Sequence, residues 1–81
     1  MNNREESIKK IVSSTLYKDI DNLDVHLIDD LNMDSLDAIS FLFEVEIEFD
    51  IQIPEKDIDE HSLFHLKKLY DYVGTKLSNT G

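Results

Sequence analysis

The sequence contains no cysteine. Disulfide bonds and thiolate metal sites are therefore excluded, and the protein has no thiol chemistry of its own. Only one proline, Pro54, and two glycines interrupt the 81 residues, a scarcity that favours helices. No apolar run is long enough to span a bilayer, and residues 1–6 lack the apolar region of a signal peptide. We therefore expect a cytoplasmic protein that does not insert into membranes.

Basic residues are also scarce. The chain has 8 lysines and arginines against 18 aspartates and glutamates, which leaves a net charge of -10. Nucleic acid and anionic membrane surfaces are unexpected partners, because phosphate binding needs a basic surface. A strong negative field favours encounters with basic protein surfaces, although the same charge also serves solubility. With 41% hydrophobic residues, we expect one domain, 1–81, with a thin core.

Hydrophobic periodicity predicts an all-α fold, a four-helix bundle with three longer helices, one short third helix and a long first loop. The predicted helices cover residues 4–17, 35–50, 55–60 and 65–77. The apolar stripe of the first helix is Ile8, Ile11, Val12, Thr15 and Leu16. The loop over 18–34 should close one end of the bundle with its apolar residues, Ile20, Leu23, Val25, Leu27, Ile28 and Leu31. Gly74 is expected near the end of the last helix, with Lys76 and Leu77 as a possible continuation.

The second predicted helix begins with a strong capping signal. Asp34 is a suitable N-cap, and Asp37 three residues later can complete a capping-box-like pair. Residues 44–49 alternate polar and apolar side chains, which is the period of a strand. The upstream cap and the helical spacing of the preceding apolar residues favour a helix over a strand.

The faces of this helix differ from those of an ordinary surface helix. One face should pack into the core and consists of Ala38, Phe41, Leu42, Val45 and Phe49. A second apolar line lies roughly opposite, with Leu36, Phe43 and Ile47 and with Ser40 within it. Asp37, Glu44 and Glu48 flank this line on one side, and Glu46 and Asp50 flank it on the other. The line predicts an exposed docking surface rimmed by carboxylates, and the alternative is a helix buried on most sides.

The segment Asp34-Ser35-Leu36-Asp37, preceded by Asp30-Leu31-Asn32-Met33, resembles the signature of acyl carrier proteins. The resemblance covers nearly the whole chain. It includes the long first loop, the acidic second helix ending at Glu48-Phe49, the Ile53-Pro54 step and Asp71-Tyr72-Val73 in the last helix. Asp-Ser-Leu by itself would be a weak signal, but in this order and in an acidic chain of this length it is specific.

The resemblance implies a non-catalytic carrier of acyl thioesters in a fatty-acid, polyketide or specialised acyl-transfer pathway. A phosphopantetheinyl transferase (holo-synthase) would attach 4′-phosphopantetheine from coenzyme A to Ser35, and the arm would supply the missing thiol. Further partners would be acyl-loading, ketosynthase or acyltransferase enzymes with basic docking surfaces, acting on a monomer. The residues expected to recognise partners are Asp34, Leu36, Asp37, Ser40, Phe43, Glu44, Ile47 and Glu48.

The chain departs from the family pattern at several positions. Asn32 stands where the family usually has glycine, and asparagine tolerates the left-handed backbone that such a turn requires. Ser40 and Ile47 stand where ordinary fatty-acid carriers tend to have acids, and Phe43 replaces a smaller or more flexible apolar residue. His65 stands at a position often held by threonine. These departures predict a carrier with its own set of partners.

Other functions remain as alternatives. A peptidyl or aminoacyl carrier would share the fold and the modified serine, and an unmodified interaction domain would share the fold with Ser35 as a capping residue. His61 and His65 are four residues apart, but no third metal ligand is evident. No nucleophile elbow supports a hydrolytic triad, and no loop has the calcium-binding spacing of an EF-hand. We therefore expect neither catalytic residues nor a metal site.

Overall fold

The computed structural model describes residues 4–17 and 19–79, with side chains up to residue 77. It contains four helices, α1 (Arg4–Leu16), α2 (Ser35–Phe49), α3 (Glu55–Glu60) and α4 (Leu66–Asn79). Over the described residues all regular elements are helical, which confirms the predicted all-α bundle of three longer helices and a short third one. Helix α1 packs against both α2 and α4.

The apolar stripe of α1 faces the core, with one exception. Ile8 and Val12 are buried, and Ile11 and Leu16 are partly buried against the core. The prediction for Thr15 is wrong, because this side chain is exposed. Its hydroxyl donates to the carbonyl of Ile11 at 3.0 Å, so the polar group is satisfied within the helix at the surface.

The long first loop closes the bundle as predicted. Leu23 and Leu27 are buried, and the other apolar residues of the loop are partly buried against the core, namely Ile20, Val25, Ile28 and Leu31. Backbone hydrogen bonds fasten the loop to the start of α4. Leu27 N–H donates to Phe64 C=O at 2.8 Å, and Leu66 N–H donates to Val25 C=O at 3.0 Å. A single antiparallel bridge between His26 and His65 lies between these bonds.

Helix α2 is continuous through the segment with strand-like alternation. Its predicted core residues are all buried, namely Ala38, Phe41, Leu42, Val45 and Phe49. The helix ends at Phe49, because Asp50 adopts a left-handed conformation with φ 54° and ψ 49°. Residues 44–49 are therefore helical although their polar and apolar side chains alternate as in a strand, because the helix packs its apolar face against α1.

A hydrogen bond between side chains joins the short helix α3 to α4. The Tyr72 hydroxyl donates to Oδ2 of Asp57 at 2.6 Å. Before α3 the chain is extended over residues 51–54, as the proline predicts, and Ile51 and Ile53 are buried. Tyr72 is also largely buried, so this link lies at the edge of the core.

Gly74 lies within α4 and not near its end, which corrects the prediction. The helix continues to Asn79. The guanidinium of Arg4 lies over Gly74, where an added Cβ would stand 2.7 Å from Arg4 Nη1. The same guanidinium stacks 4.0 Å from the centre of the Tyr70 ring. The missing side chain at position 74 makes room for an α1–α4 contact and does not end the helix.

Candidate functional site

Ser35 is the first residue of α2, and its side chain is exposed. Asp34 precedes it as the N-cap, in an extended conformation with φ -84° and ψ 172°. The Asp34 carboxylate accepts the N–H of Asp37 at 2.8 Å, and the Asp34 carbonyl accepts the N–H of Ala38 at 3.0 Å. This arrangement confirms Asp34 as the cap, whereas the return bond of the predicted capping-box-like pair, from Asp34 N–H to the Asp37 carboxylate, is absent among the described residues. The cap holds the Ser35 hydroxyl at the helix surface, open to solvent.

The start of α2 suits an anion on Ser35. The first N–H groups of a helix have no partner within it, and the Asp34 side chain takes up only that of Asp37. The N–H groups of Ser35 and Leu36 stay at the helix end, where the dipole favours negative charge. Asp34 and Asp37 oppose this effect, but both are exposed, so solvent and salt screen their repulsion.

A buried anchor lies two residues before Ser35. Met33 is buried, and its N–H donates to Leu27 C=O at 3.0 Å. Asn32, just before it, adopts a left-handed backbone with φ 61°, which confirms that asparagine can replace the expected glycine at this turn. The chain therefore passes from the core to the exposed Ser35 within two residues, which fixes the direction in which α2 begins.

The second apolar line of α2 faces solvent. Leu36 is 77% exposed, Phe43 57% and Ile47 76%, and Ser40 within the line is also exposed. The alternative of a helix buried on most sides is therefore wrong. Three large apolar side chains exposed at helical spacing on one face are typical of an interaction surface. We call these four residues the docking line.

Carboxylates flank the docking line unevenly. Asp37, Glu44 and Glu48 are exposed along one side, as predicted. On the other side Glu46 is only half-exposed, and its Oε2 accepts the N–H of Ile53 at 2.6 Å. Glu46 is thus engaged in holding the segment after α2. Asp50 on the same side is exposed as predicted, so a partner would meet one exposed carboxylate on that side and three on the side of Asp37, Glu44 and Glu48.

The two histidines near α4 have separate partners. Nε2 of His65 lies 3.3 Å from Oδ1 of Asp24 in the first loop. His61 is exposed at the end of α3, and its ring lies 5.3 Å from that of Tyr72. The two histidines therefore have different partners in the described part of the chain, and the ring of His61 instead lies in one cluster with the carboxylates of Asp57 and Glu60.

Sequence reasoning missed His26. Its ring nitrogen Nδ1 accepts the N–H groups of Ile28 and Asp29, each at 3.1 Å, in the turn that leads to Ser35. The available signal was Asp30 four residues later, whose carboxylate accepts the N–H of His26 at 2.7 Å. The two interactions together have the form of a capping box.

Comparison with known proteins identifies the family. The family described as "Phosphopantetheine attachment site" matches residues 6–73. An acyl carrier protein of Buchnera aphidicola subsp. Schizaphis graminum is 37% identical over 78 residues, which cover 94% of this chain and 96% of the relative. The chain belongs to the acyl carrier protein family. An acyl carrier protein of Buchnera aphidicola subsp. Acyrthosiphon pisum is 35% identical and covers 94% of this chain and 95% of its own length.

Family membership gives this chain a phosphopantetheine attachment domain and the role of a carrier. The matched range contains six serines, Ser7, Ser13, Ser14, Ser35, Ser40 and Ser62. Ser35 alone among them begins a described helix, where unpartnered N–H groups favour a phosphodiester. The residues present therefore fit the cofactor. No helix within the described ranges combines the length and apolar character that crossing a bilayer requires.

Proposed function

We propose that this chain carries acyl groups as thioesters on a 4′-phosphopantetheine arm attached to Ser35. The observation that carries the proposal is the position of Ser35. Its hydroxyl is exposed at the first position of α2, next to the Asp34 cap and the free N–H groups of the first turn. The three most exposed apolar side chains of α2 lie further along the same helix.

Attachment requires one bond to form and one to break. The Ser35 Oγ–phosphorus bond forms, the diphosphate bond of coenzyme A breaks to release adenosine 3′,5′-bisphosphate, and the hydroxyl proton leaves to a base. The arm supplies a terminal thiol, which this cysteine-free chain lacks. The chain's own residues hold Ser35 in place, because Met33 anchors the preceding backbone and Asp34 stops the first turn of α2 from fraying. Catalysis belongs to the partner enzymes.

Acyl cargo is favoured over peptidyl or aminoacyl cargo. The two similar relatives are both named acyl carrier proteins. The net charge of -10 also fits a carrier that moves between enzymes with basic docking surfaces. Loading assays with acyl-transferring and with amino-acid-activating enzymes would distinguish the two kinds of cargo. We expect the protein to act as a cytoplasmic monomer.

The docking line is proposed as the surface that partner enzymes recognise. Partners would be a phosphopantetheinyl transferase and acyl-loading, ketosynthase or acyltransferase enzymes. Asp34, Asp37, Glu44 and Glu48 would steer the encounter, and Leu36, Phe43 and Ile47 would fill an apolar groove beside Ser40. Ser40 and Ile47 bring no charge to this surface, so enzymes that expect acids at those two positions should accept this carrier poorly.

Intact mass and thiol titration test the attachment. The protein is incubated with coenzyme A, Mg²⁺ and a broad-specificity phosphopantetheinyl transferase. The wild type should gain one arm and one titratable thiol per chain, which is unambiguous because the chain has no cysteine. Ser35→Ala should gain neither and stay folded, since Asp34 still caps α2.

Ser14→Ala, which changes an exposed serine of α1 outside the docking line, is the matched control and should be modified like the wild type. Modification of Ser35→Ala would overturn the assignment of Ser35. A wild type that no transferase modifies would favour the unmodified interaction domain.

A further inference from the structure

The His26 ring accepts two backbone hydrogen bonds on one nitrogen. The N–H groups of Ile28 and Asp29 both donate to Nδ1 at 3.1 Å. A ring nitrogen that accepts hydrogen bonds carries a lone pair and no proton. The geometry therefore requires a neutral His26 ring with its proton on Nε2.

The capped turn leads directly to the start of α2. The N–H groups of Asp30 and Leu31 donate to His26 C=O at 2.9 and 3.1 Å and form one helical turn. Leu27, next in the chain, is buried, and its carbonyl accepts the N–H of Met33. Met33 is followed immediately by Asp34 and Ser35. The placement of Ser35 thus depends on a turn whose first N–H groups are satisfied by an imidazole.

We propose that His26 is a positioning residue for the reaction at Ser35, acting as the cap of this turn while its ring is neutral. The proposal rests on the proposed function, because it concerns how Ser35 is presented to the transferase. A protonated imidazole has two donors and no acceptor, so it cannot keep the hydrogen bonds from Ile28 and Asp29.

The charged and titratable groups around the His26 ring determine which interaction would replace the cap if the ring were protonated. Oδ2 of Asp29 lies 3.9 Å from Nδ1, and Asp30 accepts the backbone N–H of His26. The ring of His65, from the start of α4, lies 6.5 Å away and is itself 3.3 Å from Asp24. A protonated His26 ring would therefore turn towards Asp29 and exchange two backbone hydrogen bonds for an ion pair. The turn before Ser35 would then lose its cap.

Nuclear magnetic resonance tests the capping directly. Nitrogen-15 shifts of the His26 ring should show an unprotonated Nδ1 and a protonated Nε2 in the folded protein near neutral pH. The amide proton signals of Ile28 and Asp29 should change in His26→Ala and stay close to their wild-type positions in His26→Asn. A folded protein with a proton on Nδ1 at neutral pH would overturn the proposal.

Matched variants test the role in the reaction. His26→Asn keeps a side-chain acceptor that pH does not remove, and His26→Ala keeps none. The kcat/KM of arm attachment is measured for each chain with one transferase. His26→Ala should lower the value by up to about fivefold, the factor that corresponds to a lost cap, and His26→Asn should restore it.

His61→Asn, which removes an exposed histidine elsewhere, should match the wild type. If His26→Ala fails to fold, the nitrogen-15 shifts of the wild-type His26 ring decide. Equal kcat/KM values for the wild type and a folded His26→Ala would overturn the role of His26 alone. Failure of all the chains to accept the arm would overturn the proposed function as well.

Discussion

The Asp34 carboxylate accepts the N–H of Asp37 at 2.8 Å, and these two residues enclose Ser35 at the start of α2. One hydrogen bond therefore stabilises the helical turn that presents the proposed attachment serine. The same carboxylate also places negative charge beside the site of a phosphodiester. Capping and repulsion act in opposite directions on the modified protein, and substitutions at Asp34 can separate them.

Asp34→Ala should lower the free energy of unfolding by about 1 kcal/mol, because an N-cap contributes about that much. Asp34→Asn keeps the acceptor without the charge and should lose only a small part of this stability. Urea denaturation of the unmodified proteins measures both differences. Equal stability of the wild type and Asp34→Ala would show that the hydrogen bond to Asp37 contributes nothing.

Tyr72→Phe should lower the free energy of unfolding by about 1–2 kcal/mol at neutral pH, because it removes the hydrogen bond to Asp57. Burial, together with this hydrogen bond, raises the pKa of Tyr72 well above its usual range. In the unfolded chain tyrosine ionises near pH 10. Above about that pH the unfolded state releases a proton that the folded state keeps, so this contribution to stability is lost as the pH rises.

The measurement for Tyr72 is the difference in stability between the wild type and Tyr72→Phe across an alkaline pH series. The difference should shrink above about pH 10. Tyr17 and Tyr70 are present in both chains and so cancel in the comparison. A difference that stays constant with pH would contradict the raised pKa.

Added salt should raise the melting temperature. The chain has no lysine or arginine between Lys18 and Lys56, and this segment holds twelve of its 18 acids. Such a concentration of like charge repels itself in the folded state, and salt screens the repulsion. Millimolar Mg²⁺ should act in the same direction, because a divalent cation screens the repulsion more strongly than a monovalent one.

The control for the salt effect is a double substitution, Glu44→Gln with Glu48→Gln, which removes two exposed charges from α2. Its melting temperature in low salt should be higher than that of the wild type, and its response to salt should be smaller. A wild-type melting temperature that neither salt nor Mg²⁺ changes would contradict this explanation.

Two kinds of substitution at the docking line should change binding to a transferase or synthase differently. Charge reversal at Asp37 or Glu44 should mainly slow association, and the defect should shrink at high salt. Phe43→Ala or Ile47→Ala should mainly speed dissociation, with little dependence on salt. Binding kinetics across a salt series measures both effects.

Matched controls for the docking line lie elsewhere on the surface. Asp59→Lys makes the same charge change on α3, and Tyr17→Ala removes an aromatic side chain that is 92% exposed. Neither should alter binding as the substitutions in α2 do. If Phe43→Ala and Ile47→Ala unfold the protein, these side chains belong to the core. That result would contradict the proposal that they form a docking surface.

The features of α2 that could be predicted from sequence depend on local spacing. The helical period predicts the core face from Ala38 to Phe49 and the exposed line of Leu36, Phe43 and Ile47. The residue type at position 34 predicts the cap. The structure confirms all three. The left-handed turn at Asn32 followed from the tolerance of asparagine for that backbone. The family likeness then gave these positions a functional meaning.

The features that could not be predicted depend on contacts between distant segments. The position of Glu46 on the helix predicts an acid exposed at the surface. The chain after α2 turns back, however, and Ile53 N–H donates to the Glu46 carboxylate. Gly74 resembles a helix end, and only the approach of Arg4 from α1 explains why the helix continues past it. The bridge between His26 and His65 joins residues that no local pattern relates.

Acyl loading of the arm-bearing protein tests the central claim most directly. Three proteins are compared after treatment with transferase and coenzyme A, namely the wild type, Ser35→Ala and Ser14→Ala. Each is incubated with an acyl-transferring enzyme and its acyl donor, and intact mass is recorded before and after treatment with neutral hydroxylamine, which cleaves thioesters. The wild type and Ser14→Ala should each gain one acyl group that hydroxylamine removes. Ser35→Ala should gain none, because the chain has no cysteine of its own. A hydroxylamine-sensitive acyl group on Ser35→Ala, or an arm-bearing wild type that no acyl-transferring enzyme can load, would contradict the claim that this chain carries acyl thioesters through Ser35.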